Sequence, residues 1–85
     1  MRYILFTKRD CPFCKSAIEL LVSKKLEHEV VDLQDSLEIL ESFKKIYRWA
    51  TVPMIFVENK KDMNRLSNYE LLGGFEDLKN HLNRE

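Results

Sequence analysis

Cys11-Pro12-Phe13-Cys14 holds both cysteines of an 85-residue chain, and two thiols at this spacing can do redox chemistry. On a helix, residues i and i+3 are neighbours, and their Cα separation of about 5 Å lies within the range that a disulfide bridges. The two sulfurs can therefore close a bridge locally. Pro12 suits the first helical position, because its fixed φ is helical and its missing N–H would have no intrahelical partner there. Cys11 then occupies the N-cap. Unpaired amides and the positive end of the helix dipole surround its sulfur and favour thiolate over thiol. Cys11 is thus expected to be the nucleophile and Cys14 the resolving thiol. Lys8, Arg9, Asp10 and Lys15 flank the pair and point to an exposed, electropositive setting rather than a buried one. A structural zinc site needs four ligands, and only His28 and His81 could join the cysteines. Both histidines lie in polar contexts without a second Cys pair or a His-x-x-x-His spacing, so no metal is expected.

The elements that must hold this pair can be followed along the chain. Tyr3-Ile4-Leu5-Phe6-Thr7 is a short aromatic and β-branched run that reads as a strand. After the cysteines, Ala17, Ile18, Leu20, Leu21 and Val22 recur at helical spacing, and the helix is expected to end near Lys24-Lys25. Glu27 to Leu33 reads as a second strand, and the connection is long enough for a right-handed parallel crossover. Ser36 offers an N-cap for a helix through Leu37, Ile39, Leu40, Phe43 and Ile46, a stripe expected to be core. Thr51-Val52-Pro53 breaks the pattern before the apolar run Met54-Ile55-Phe56-Val57. Glu58 to Asn68 is polar and reads as a loop, Tyr69-Glu70-Leu71-Leu72 as a last strand, and Phe75 to Leu82 as a closing helix after Gly73-Gly74. The order β-α-β-α-β-β-α implies an α/β fold, a mixed sheet flanked by helices with its last two strands in an antiparallel hairpin.

Residues 1–85 make one domain of modest core, since two domains would not fit this length. A hydrophobic fraction of 45% with only two glycines and two prolines argues against disorder. Fourteen basic and fourteen acidic residues cancel, which removes any general attraction to nucleic acid or to an anionic membrane. No apolar run approaches a membrane span, and Met1-Arg2-Tyr3 leads into a strand without a signal-peptide core. A cytoplasmic location is the expectation, and two cysteines with none left for structural bridges fit a reducing compartment.

With Lys8, Cys11-Pro12-Phe13-Cys14, Thr51-Val52-Pro53 and Gly73-Gly74-Phe75-Glu76-Asp77-Leu78 in order, the chain resembles a glutaredoxin of the small dithiol type over nearly its whole length. The resemblance implies a thioredoxin-like fold, a four-stranded mixed sheet in the order 2-1-3-4 flanked by three helices, with Pro53 cis. It also implies glutathione as co-substrate, with disulfide-containing or glutathionylated proteins as partners, ribonucleotide reductase among the candidates. The chain is expected to act as a monomer. The glutathione site would comprise Lys8, Phe13, Thr51, Val52, Pro53, Gly74, Phe75, Glu76 and Asp77. At Val52 a free strand end can pair with an extended tripeptide. The helix beginning near Phe75-Glu76-Asp77 offers an N-terminus for the γ-glutamyl carboxylate, and Asp77 a partner for its ammonium. Lys8 can attract the glycine carboxylate and support the Cys11 thiolate.

The sequence departs from this pattern in three places. Phe13 stands where the family often has tyrosine, so a ring can cover the site but no phenol can hydrogen-bond there. Leu40 stands where many relatives carry a glutamine or basic residue on the second helix, leaving Lys44 or Arg48 as substitutes, or a weaker clamp. The stretch between Pro53 and Gly73 is longer than usual, and Asn59 to Asn68 is expected to extend the hairpin at the pole away from the cysteines. A cluster-carrying role, with Cys11 and glutathione ligating iron–sulfur across a dimer, is the competing function. Pro12 counts against it, because the family's cluster binders usually have a smaller residue there.

Overall fold

The computed structural model describes residues 2–58 and 69–83; the expected Asn59–Asn68 hairpin extension lies outside them. Strand β1 (Tyr3–Thr7) leads into helix α1 (Pro12–Ser23), followed by β2 (His28–Asp32), α2 (Leu37–Tyr47), β3 (Met54–Glu58), β4 (Tyr69–Gly73) and α3 (Phe75–Asn83). The sheet order is β2-β1-β3-β4, with β1 parallel to β2 and antiparallel to β3, and β3 antiparallel to β4. This is the thioredoxin-like order that the motifs imply.

Alternation along β1 sends Tyr3 and Leu5 to one face of the sheet and Ile4 and Phe6 to the other. The first face packs on Ala17 and Leu21 of α1 and on Leu78 and Leu82 of α3, with Ile55 and Val57 between them. The second packs Met54 and Phe56 against Leu40 of α2 and Leu33. Strand β3, central and covered on both faces, has no solvated side, which is why it reads as a continuous apolar run. Helix α1 closes with Lys25 in the left-handed region, Lys25 N donating to the Val22 carbonyl and Leu26 N to the Leu21 carbonyl. This pairing satisfies the terminal carbonyls and folds Leu26 back onto the core.

The α2 stripe corrects the expectation that all of it is core. Leu40 is 1% exposed and Phe43 packs beside it, but Leu37, Ile39 and Ile46 are exposed at 44%, 46% and 69%. At about 100° per residue these five positions spread over roughly half the helix circumference, and a flat sheet covers only the middle of that arc. Val22 of α1 is likewise exposed. Ser36 does stand at the N-cap of α2, yet its side chain makes no capping hydrogen bond.

Two local features aim the chain at the site. Asp10, with φ 54°, turns the backbone from the end of β1 into α1. Pairing of β3 with β4 shifts register between Ile55 and Phe56, so that β4 ends at Gly73 opposite Ile55, and Gly73 and Gly74 lead into α3. Gly73 has φ +129°, where a side chain is strained, and a Cβ there would run into the Asp77 carboxylate and the Trp49 ring.

Candidate active site

Cys11 stands at the N-cap of α1 with extended backbone angles, and Pro12 follows at the first helical position. Its Sγ accepts a hydrogen bond from the Cys14 amide at 3.2 Å, one of the first-turn donors that has no intrahelical partner. Cys11 and Cys14 form a disulfide with their Cα atoms 5.2 Å apart. The two are unequal: Cys14 is buried at 3% exposure, while Cys11 is only partly covered. An incoming sulfur therefore meets Cys11 first and finds Cys14 behind it.

Across the site, 41 residues away in sequence, the Val52 carbonyl oxygen lies 3.9 Å from Cys11 Sγ. Val52 precedes Pro53 through a cis peptide bond, and Pro53 is buried at the start of β3. At the corner between β4 and α3, Gly74 N donates to Asp77 Oδ2 at 2.9 Å while the Gly74 carbonyl accepts from Leu78 N at 3.0 Å. Gly74 is thus the N-cap of α3, and Asp77 reaches back to it as the acidic partner of a capping box does. One Asp77 oxygen, Oδ2, is engaged in this way.

Phe13, Thr51, Val52, Pro53, Gly74, Phe75, Glu76 and Asp77 all line a single groove of about 270 Å³ beside the dithiol. Lys8 is not among its lining residues. It lines a second groove, of about 590 Å³, together with Cys11, Cys14 and Lys15. Lys44 and Arg48, the suggested substitutes for a carboxylate clamp, line neither. Lys44 is instead paired with Glu41 at 3.5 Å, and Leu40 is committed to the core beneath.

Sequence reasoning passed over Trp49, which also lines the smaller groove. The Trp49 amide donates to the Lys44 carbonyl at 2.9 Å as α2 ends at left-handed Arg48, and its ring meets the Gly73-Gly74 corner. An aromatic residue two positions before Thr51-Val52-Pro53 was the available signal. Phe13 is 60% exposed with its ring centroid 6.3 Å from that of Phe75, so three aromatic rings border the groove. Among the described residues, no group of three or more His, Cys, Asp or Glu is gathered as a metal site.

A thioredoxin-like sheet with a dithiol at the N-terminus of its first helix defines a class of disulfide-exchanging proteins. The sequence profile of the glutaredoxin family matches residues 4–61, and the chain belongs to that family. It is 36% identical over 77 residues to Glutaredoxin-1 of Gallus gallus, covering 87% of this chain and 66% of the relative. Against Glutaredoxin-1 of Camelpox virus (strain CMS) it is 31% identical over 80 residues, covering 81% of this chain and 74% of the relative. In fold it is similar to the solution structure of glutaredoxin from Brucella melitensis, with a TM-score of 0.74 at 24% identity, covering 99% of this chain and 80% of that one. A crystal structure of glutaredoxin 1 from Francisella tularensis complexed with cacodylate gives a TM-score of 0.71 at 18% identity, covering 98% of this chain and 93% of that one. Family membership and a dithiol that closes into a disulfide support a thiol–disulfide oxidoreductase.

Proposed function

We propose that the chain reduces protein disulfides and glutathione mixed disulfides, with glutathione as its reductant. The observation that carries this reading is the asymmetric dithiol: a part-exposed Cys11 held by the Cys14 amide, a buried Cys14 behind it, and the Val52 carbonyl 3.9 Å away. An extended tripeptide that pairs with the main chain of Val52 brings its own sulfur to Cys11. The first-turn amides of α3 favour a carboxylate at the other end of the groove, and the carboxylate of Asp77 favours an ammonium beside it.

On a glutathionylated protein, the Cys11 thiolate attacks the glutathione sulfur, the protein thiolate leaves, and Cys11 is left bonded to glutathione. A second glutathione thiolate attacks that glutathione sulfur and releases glutathione disulfide and free Cys11. On a protein disulfide, Cys11 takes one substrate sulfur; Cys14 then attacks Cys11, releases the reduced substrate and closes the Cys11–Cys14 bridge, which two glutathiones reopen. Donation to one dedicated acceptor, such as ribonucleotide reductase, would use the same steps. In this reading the protein works as a cytoplasmic monomer.

A coupled assay tests the reading: a small glutathione mixed disulfide, glutathione, glutathione reductase and NADPH. NADPH oxidation that depends on the chain and on Cys11 is expected. A reduced, folded protein that leaves the background rate unchanged would overturn it.

A further inference from the structure

Alternation along β1 puts Thr7 on the same face as Tyr3 and Leu5, the face that packs on α1. At 4% exposure it is the one buried polar side chain among the described residues. Its backbone is fixed by ladder pairing opposite Asp32 and by Leu33 N, which donates to its carbonyl at 2.9 Å. No hydrogen bond engages its hydroxyl among the described residues. Cys14 is buried to the same degree, and the two residues line the larger groove together with Ile18. The amides at the start of α1 are committed elsewhere: the Cys14 amide donates to Cys11 Sγ and the Lys15 amide to the Cys11 carbonyl. Lys8 and Lys15 also line this groove, but both are exposed and keep their charges in water.

While the bridge is closed, the Cys14 sulfur is neutral and needs no donor. When a glutathione thiolate attacks Cys11 Sγ, the Cys11–Cys14 bond breaks, Cys11 becomes bonded to glutathione, and the electron pair leaves on Cys14 Sγ. A buried anion without a donor is costly, and a sulfur leaves faster the better its thiolate is stabilised. We propose that the Thr7 hydroxyl donates a hydrogen bond to the Cys14 sulfur as it leaves, which makes Thr7 a residue of the two-cysteine route. The proposal rests on the thiol–disulfide reading and assigns the group that receives its leaving sulfur. A hydroxyl hydrogen rotates to suit its acceptor, and the freed sulfur is no longer held at bond length from Cys11, so the backbone need not move. A second glutathione then carries off the first as glutathione disulfide, and the Cys14 thiolate takes a proton from water. Removal of glutathione by Cys11 alone places no charge on Cys14 and does not draw on Thr7.

The test follows bridge opening in the oxidised full chain under excess glutathione or excess 2-mercaptoethanol, by acid quench and mass spectrometry. Each opening rate is divided by the rate at which iodoacetamide alkylates Cys11 in the reduced protein, a reaction that puts no charge on Cys14. Thr7→Val keeps the branched shape without the hydroxyl, and its ratio should fall about tenfold, the scale of one hydrogen bond to a charged group. Thr7→Ser, which keeps the hydroxyl, should restore the ratio. Thr7→Ala should behave as Thr7→Val does, and it carries the test if the valine variant does not fold. A ratio unchanged in the folded hydroxyl-free variants, or a fall that Thr7→Ser does not restore, overturns the role of Thr7 and leaves the oxidoreductase reading intact. A native bridge that 2-mercaptoethanol opens and glutathione does not overturns the glutathione reading, and the 2-mercaptoethanol ratios then decide Thr7. A native bridge that neither thiol opens removes both.

Discussion

The larger groove beside the dithiol draws all its lining residues from the single stretch 7–18, whereas the smaller one combines Phe13 with Trp49, residues 51–53 and residues 74–77. The first is made by one strand-to-helix turn and carries charge: Lys8, Asp10 and Lys15. The second is made by three separate segments, is bordered by aromatic rings, and includes the strand end at Val52 and the N-terminus of α3. The reactive sulfur is thus a local product of the chain, while recognition of what is attached to an incoming sulfur depends on the whole sheet. Damage to the local element should therefore remove chemistry, and damage to the assembled element should change binding and stability first.

The largest expected effect comes from the local side. Cys11→Ser should abolish both deglutathionylation and protein-disulfide reduction, because it removes the nucleophile. Cys14→Ser should keep the removal of glutathione, since attack on a Cys11–glutathione disulfide needs no second thiol, and should lose reduction of protein disulfides by the two-cysteine route. Parallel assays on the two substrate types check this, and the reverse outcome would exchange the roles of the thiols.

Gly73→Ala strikes the assembled groove. At φ +129° the new Cβ meets the Asp77 carboxylate and the Trp49 ring, so both the α3 cap and the aromatic border must shift. A positive-φ strain of this kind costs roughly 1–3 kcal/mol, to be read from the denaturant midpoint, and KM for glutathione should rise more than kcat falls. An unchanged midpoint would mean that the corner relaxes freely.

Asp77→Ala should act in the same place more gently. Loss of the cap on the Gly74 amide costs about 1 kcal/mol, and KM for glutathione should rise several-fold with no change in how fast iodoacetamide alkylates Cys11. A slowed alkylation would tie this corner to the reactivity of the sulfur and break the separation of the two grooves.

Lys8→Met is the smallest. Lys8 is exposed and shares the larger groove with Cys11, so its charge acts through solvent. Alkylation of Cys11 near neutral pH should slow by no more than about threefold, and the difference should fade in 1 M salt, where screening acts within about 3 Å. In both proteins the alkylation midpoint should lie below the value of about 8.5 for a free thiol, because the N-cap position and the Cys14 amide remain. A persistent gap at high salt would assign Lys8 a direct contact instead.

What could be read from the chain follows the same division. Strand β1, the N-capping Cys11, Pro12 at the first helical position and the i+3 spacing of Cys14 all depend on neighbours within one turn, so residue type and order suffice for them. The apolar run of β3 and the Gly73-Gly74 break were legible for the same reason. Which α2 residues are core was not, because periodicity defines an apolar arc and only the sheet beneath decides how much of it is covered: Leu40 is, Ile46 is not. The separation of Lys8 from the groove of Thr51 and Asp77, and the arrival of Trp49 at the Gly73-Gly74 corner, likewise arise only when β3 and β4 pair. By itself the sequence determined where the sulfur chemistry lies, since a helix N-terminus is a short-range object. The tertiary structure decided the contacts themselves: although the resemblance already pointed to Val52 and Gly74, only the folded sheet brings Val52 to Cys11 from 41 residues away and Trp49 to the Gly73-Gly74 corner, separations that no local pattern encodes.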